Sequence, residues 1–148
     1  MMSRYARPAT NNIPSFQRFL LIALGSVLLA LLATTASLRP ATSGHGTHQQ
    51  LGLPPCAVQM MWKIRCPSCG MTTSWAHFVR GQWIRSLQAN SGGALLAVIA
   101  SLVGLWALIT GCWGRWWWQP FRQLGAVVMA IVVTLVTLID WALRLVMS

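Results

Sequence analysis

Phe19 to Leu38 reads FLLIALGSVLLALLATTASL, twenty residues without a charge, with Arg18 before it and Arg39-Pro40 after it. A helix rises 1.5 Å per residue, so a block of about twenty crosses the hydrocarbon layer of a bilayer. Lipid offers no partner for backbone N–H and C=O groups, so such a block must satisfy them within its own helix. Two more blocks meet the same test. Gly92 to Gly111 lies inside a charge-free stretch from Ser86 to Gly114, and Leu124 to Ile139 continues as a helix through Asp140 toward Leu145. The pattern predicts an all-α membrane protein with three transmembrane helices in one membrane domain, 1–148. Its parts are an N-terminal tail (1–15), spans at 16–38, 89–112 and 124–146, a long loop (39–88) and a Trp-rich short loop (113–123).

The totals agree with that reading and exclude others. Of 148 residues, 55% are hydrophobic and 8% charged, and the sole acid, Asp140, stands against eleven basic residues. A soluble surface needs roughly a quarter of its residues charged. The net charge of +10 is carried by scattered arginines rather than a run that tracks a phosphate backbone, so no nucleic acid is expected as a partner. Arginines flanking apolar blocks serve instead as anchors at anionic headgroups, with the lipid bilayer as the expected partner. The first block, with Thr34-Thr35-Ala36 near its end, also fits a cleavable signal peptide, but its length and the two later spans favour a retained helix.

Basic residues near the spans set orientation. Arg4, Arg7 and Arg18 precede the first span, and Arg115 and Arg122 lie in the short loop; the long loop spreads five basic residues over some fifty positions. This predicts a cytoplasmic N-terminus and an extracytoplasmic long loop. Trp113, Trp116, Trp117 and Trp118 suit headgroup level. Small residues recur every fourth position at Ser26/Ala30/Thr34, Gly93/Ala97/Ser101 and Ala126/Ala130/Thr134, spacing that lets helices in lipid approach closely.

The chemistry-bearing segment is in the long loop: Cys56, then Cys66-Pro67-Ser68-Cys69-Gly70-Met71-Thr72. Two cysteines three apart share one turn, Pro67 fixes φ after the first, and Gly70 can adopt the left-handed conformation. This segment resembles a bacterial membrane-protein family catalogued only as a domain of unknown function. Its members have an upstream Cys, a C-P-x-C-G-x-T core between spans, then a Gly and an Asn. Here those positions are Cys56, Cys66, Pro67, Cys69, Gly70, Thr72, Gly81 and Asn90, and the resemblance runs from Leu51 to Leu108. Where the family usually has Arg, an acid and Pro, this chain has Thr73, Gln82 and Ser91. The resemblance implies a membrane setting and no particular activity.

Three chemistries suit the cysteines on physical grounds. A metal site would use Cys56, Cys66 and Cys69 with His77, His45 or His48 as a fourth ligand; zinc wants four ligands, and Met60, Met61 and Met71 would suit copper(I). Thiol–disulfide exchange would use Cys66 as attacking thiolate and Cys69 as resolving thiol, at the start of a helix whose positive end lowers a thiol pKa. A structural role would pair Cys56 with one turn cysteine or simply pack the turn. Cys112, in the second span, is expected to be a buried small hydrophobe.

Past the motif, Met71, Trp75, Phe78 and Val79 fall on one helical arc, with Thr73, His77 and Arg80 opposite. Gly81 breaks the pattern, and Trp83, Ile84 and Leu87 form a second arc. This predicts a bent amphipathic helix in the membrane interface. Pro40 to Leu53 is rich in Thr, Ser, Gly, Gln and His and reads as flexible. Asp140 and Arg144, one turn apart, are expected to pair.

No Ser–His–Asp set, carboxylate pair, phosphate loop or nucleotide fingerprint can be assembled. The function favoured by the sequence is a non-enzymatic membrane module whose cysteine turn contacts a partner or ligand, another membrane protein or a second copy among them. The alternatives are a membrane thiol oxidoreductase using Cys66 and Cys69, and a zinc- or copper-binding protein using the same cysteines.

Overall fold

The structure, a computed structural model, describes residues 12–64, 66–116 and 123–146. Its helices are α1 (Ser15–Ser37), α2 (Ala57–Trp62), α3 (Met71–Phe78), α4 (Trp83–Ala89), α5 (Ser91–Trp113) and α6 (Gln123–Val146), with a 3-10 turn at Thr47–Leu51. No strand forms among the described residues; there is one isolated bridge, Asn12 with Arg115. Helices α1, α5 and α6 are each long and apolar enough to cross a membrane, and the architecture is the expected all-α, three-span one.

Packing between α1 and α5 is set by glycine. A Cβ on Gly25 would sit 2.7 Å from the Gly104 carbonyl oxygen and 2.7 Å from Leu108 Cγ, and one on Gly111 would sit 2.8 Å from Ile22. Two backbones in contact maximise dispersion where lipid supplies no hydrophobic drive. On α5 the buried stripe runs Gly93, Ala97, Ala100, Gly104, Ala107, Gly111, alternating four and three residues. The expected Gly93/Ala97 face is therefore real. The other two small-residue stripes are not packing faces: Ser26, Ala30 and Thr34 on α1 and Ala126, Ala130 and Thr134 on α6 are exposed. One step of helical phase separates Ser26 from the true contact at Gly25, and small residues on lipid-facing positions carry no packing information.

Helix α6 packs on α5 through its outer half, where Gly92 lies directly against Thr137. Ser91 Oγ donates to Asp140 Oδ1 (3.0 Å), and Arg144 pairs with Asp140 (Nε–Oδ2 2.9 Å) as expected. The guanidinium does more: it also donates to the Ala89 carbonyl (3.0 Å) at the end of α4.

Two other arginines act the same way. Arg18 donates to the carbonyls of Gly111 (3.1 Å) and Cys112 (3.2 Å) at the end of α5. Arg80 reaches those of Ala36 (2.9 Å) and Leu38 (2.6 Å) at the end of α1. A helix leaves its last four carbonyls without partners and carries partial negative charge there, so a guanidinium satisfies both needs. Arg18 and Arg80, among the arginines read from sequence as headgroup anchors, and Arg144, read as the partner of Asp140, all bind carbonyls at helix C-terminal ends.

Helix α3 breaks from α4 at Gly81 (φ +71°) as predicted. Its arc of Trp75, Phe78 and Val79 packs against Leu32, Ala97 and Ala100 in the wedge between α1 and α5. Thr73, on the opposite arc, is fully buried and shares a 2.8 Å hydrogen bond with Thr47. Helix α4 instead turns its apolar arc outward, with Trp83, Ile84 and Leu87 exposed.

Candidate functional site

The site is built at the end of the bundle where α1 stops and α5 begins. Pro40 to Leu53, expected to be flexible, is its outer wall. Thr47 accepts from the Ala41 backbone N–H (3.0 Å), and Arg39 and Gln50 exchange two backbone–side-chain hydrogen bonds of 3.0 and 2.6 Å. Composition misread this loop because the hydroxyl that fixes it, Thr47, finds its partner on α3, far along the chain.

Cys66 to Gly70 forms a tight turn in which the Cys69 N–H donates to the Cys66 carbonyl (2.9 Å). Gly70 starts α3 in the left-handed conformation (φ +86°), as its place in the motif predicts. Space as well as φ demands glycine here. A Cβ would stand 2.5 Å from the Ala89 carbonyl oxygen and 2.7 Å from that of Gly44.

Asn90 locks this turn to the second span. Its Oδ1 accepts from the Gly93 N–H (2.6 Å), capping α5, while Nδ2 donates to the carbonyls of Pro67 (3.0 Å) and Cys69 (3.1 Å). One amide serves an acceptor role and two donor roles at a residue only 3% exposed. An aspartate or serine could cap the helix but could not hold both carbonyls. Beside it, Ser74 Oγ donates to the Asn90 carbonyl (3.0 Å) and Ser86 Oγ to the Ser74 carbonyl (2.9 Å). That buried serine pair was not singled out in the sequence, where nothing marks two serines twelve apart as partners.

The three loop cysteines gather around one cavity of about 210 Å³, which Ser68, Gly70, Thr72 and His48 also line. All are free thiols. Cys56 stands at the start of α2, and the nearby backbone N–H of Gln59 holds its thiol below the usual range, helped by the Cys66 and Cys69 thiols as donors. Burial pushes the Cys69 thiol up instead. The two differ because stabilised charge at a helix start lowers a thiol pKa and desolvation raises it.

His77, a proposed fourth metal ligand, is not in this cavity. It bonds Gln82 (Nδ1 to Oε1, 2.6 Å) in a separate groove with Arg80 and Arg85, because the pitch of α3 turns it away from the N-terminal Gly70 end. His45 bonds the Ser43 carbonyl (2.8 Å) on the far side of the turn. Among the described residues, no three His, Cys, Asp or Glu side chains are arranged to hold a metal ion. Met60 and Met61 point outward, exposed. Cys112 is likewise exposed at the end of α5 rather than buried, since the bundle packs on the Gly111 side of that turn. Gly81 marks the α3–α4 break, where a Cβ would meet only open space. Trp117 and Trp118, and Arg4, Arg7, Arg65 and Arg122 of the orientation argument, lie outside the described residues.

The chain is not similar to any curated protein or solved structure compared with it. Residues 56–104 do match a family model described as "Protein of unknown function (DUF2752)". The matched segment begins at Cys56, takes in the turn, α3, α4 and Asn90, and ends at the close-contact Gly104 of α5. Most of the site just described, from Cys56 to Asn90, thus lies in a segment similar to that uncharacterised family, with the outer wall at 40–53 before it, in a multi-pass membrane protein.

Proposed function

We propose that this protein is a non-enzymatic module of a bacterial inner membrane, with its N-terminus in the cytoplasm and its cysteine turn in a rigid extracytoplasmic cap that contacts a partner. The observation that carries this reading is the Asn90 clamp. The motif's carbonyls and Gly70 are spent on docking the turn to the second span, an architectural use. Acid–base catalysis has no carboxylate to draw on: Asp140 is the one acid in the chain, and it is committed to Arg144 and Ser91. A preorganised cap lowers the ordering cost of binding.

The test has two arms. Reporter fusions at the 39–88 loop and at the N-terminus read the orientation, and an extracytoplasmic N-terminus would reverse the proposed arrangement. Crosslinking in native membranes, with Cys66 and Cys69 both replaced by Ser, reads the cap. Loss of folded protein or of crosslinked partner supports the proposal, and unchanged levels and crosslinks oppose it. A second reading, thiol–disulfide exchange, is favoured by the gathering of three free thiols in one cavity.

A further inference from the structure

The cysteines are arranged differently from a two-thiol C-x-x-C centre. Cys66 and Cys69 lie within one turn, with Cys69 held by Asn90 and set more deeply. Cys56 comes from the start of α2, lines the same cavity and interacts with both of the others. It is the thiol that comes from a separate segment of the chain and has the Gln59 backbone N–H beside it. The sequence spacing had placed the attack on Cys66.

We propose that Cys56 is the exchanging thiol of a site that reacts with a disulfide on an extracytoplasmic partner, and that Cys66 or Cys69 closes the disulfide. The Cys56 thiolate attacks one sulfur of the partner's disulfide. A mixed disulfide forms and the other partner sulfur leaves as a thiolate, taking the electron pair. A turn thiolate then attacks Cys56 Sγ, forming an internal disulfide and releasing the second partner thiolate. The two protons lost by the cysteines end on the two released thiolates. Two thiols of this chain are oxidised and one partner disulfide is reduced to two thiols, and the reverse sequence oxidises a partner dithiol. Cys56 suits the first step because a thiolate attacks and a thiol does not. Thr72 and Ser68 beside the cavity supply polar contacts for the incoming sulfur chain. The inference deepens the second reading, thiol–disulfide exchange, and rests on the extracytoplasmic placement of the cap, because such exchange persists in oxidising compartments.

The test uses the full chain in membranes, equilibrated with mixtures of reduced and oxidised glutathione, then alkylated and mapped by mass spectrometry. The wild-type protein is expected to form a disulfide linking Cys56 to Cys66 or Cys69. With both turn cysteines replaced by Ser, the glutathione adduct on Cys56 should accumulate, because nothing resolves it; either turn cysteine restored alone should abolish the accumulation. A Cys66–Cys69 disulfide with Cys56 left free overturns the proposal, as do cysteines that stay reduced across all mixtures or stoichiometric retention of zinc by the purified protein. The wild-type mapping needs no variant, so a variant that fails to fold leaves a decisive result. Failure here with an intact cap differs from failure of the module reading, in which the cap itself loses its docking.

Discussion

The side-chain amide of Asn90 donates to the Cys69 carbonyl at 3.1 Å while its carbonyl oxygen accepts from the Gly93 N–H at 2.6 Å. A residue at the foot of a transmembrane helix thereby fixes a cysteine turn more than twenty positions upstream. Asn90→Ala removes the cap and both donors, a loss of about 2–3 kcal/mol at roughly 1 kcal/mol for each interaction. Asn90→Asp keeps the cap and loses the donors, so it should fall between the two in thermal unfolding in detergent. Equal stability of all three would remove the clamp.

Two glycines with similar φ should respond differently to alanine. Gly81→Ala meets open space and incurs only the left-handed penalty, about 1 kcal/mol. Gly70→Ala adds a clash with the Ala89 and Gly44 carbonyls and should cost more than about 2 kcal/mol. The ratio of folded protein by fluorescence-detected size exclusion reads the difference.

The α1–α5 contact makes a third prediction. Gly25→Ala places a methyl against the Gly104 carbonyl and should destabilise by about 1–3 kcal/mol. Ser26→Ala, one residue on and exposed, should be silent. Thermal unfolding of the two variants side by side would show the reverse order if the sequence-level stripe were the true face.

Asp140 is the only acid, yet its removal should matter little. Its ion pair with Arg144 is partly exposed, with side chains 18% and 23% accessible, and such pairs contribute at most about 1 kcal/mol. Arg144→Ala should cost more than Asp140→Asn, because it also strips the Ala89 carbonyl of its partner.

Cysteine reactivity should order by environment. Cys56 sits below the usual thiol range and Cys69 above it. As pH falls from alkaline values, protonation therefore silences Cys69 first and Cys56 later. Alkylation rates measured against pH on reduced, full-length protein should show Cys56 reacting at the lower pH, and coincident profiles would contradict the placement of Cys56 at the α2 start.

The spans were legible because period and length suffice to specify them; the bounds shifted by one or two residues, with α5 starting at Ser91 once Asn90 is its cap. Gly70, Gly81 and the Asp140–Arg144 pair were legible because local geometry decides them. The roles of Arg18, Arg80, Thr47 and the Ser74–Ser86 pair were not. Each is a polar side chain whose partner is distant in sequence, and helical periodicity carries no information about which carbonyl a guanidinium will find. The arc of α3 was legible and its partners on α1 and α5 were not, because an apolar arc fits lipid and a helix groove equally well.

The most direct test of the clamp is the alkylation rate of Cys69 in native membranes, in wild type and in Asn90→Ala, with Cys112 replaced by Ser to clear the background. If Asn90 holds the turn against α5, Cys69 reacts slowly in the wild type and distinctly faster in the variant, with protein still inserted in the membrane. Identical rates in two folded proteins would contradict it.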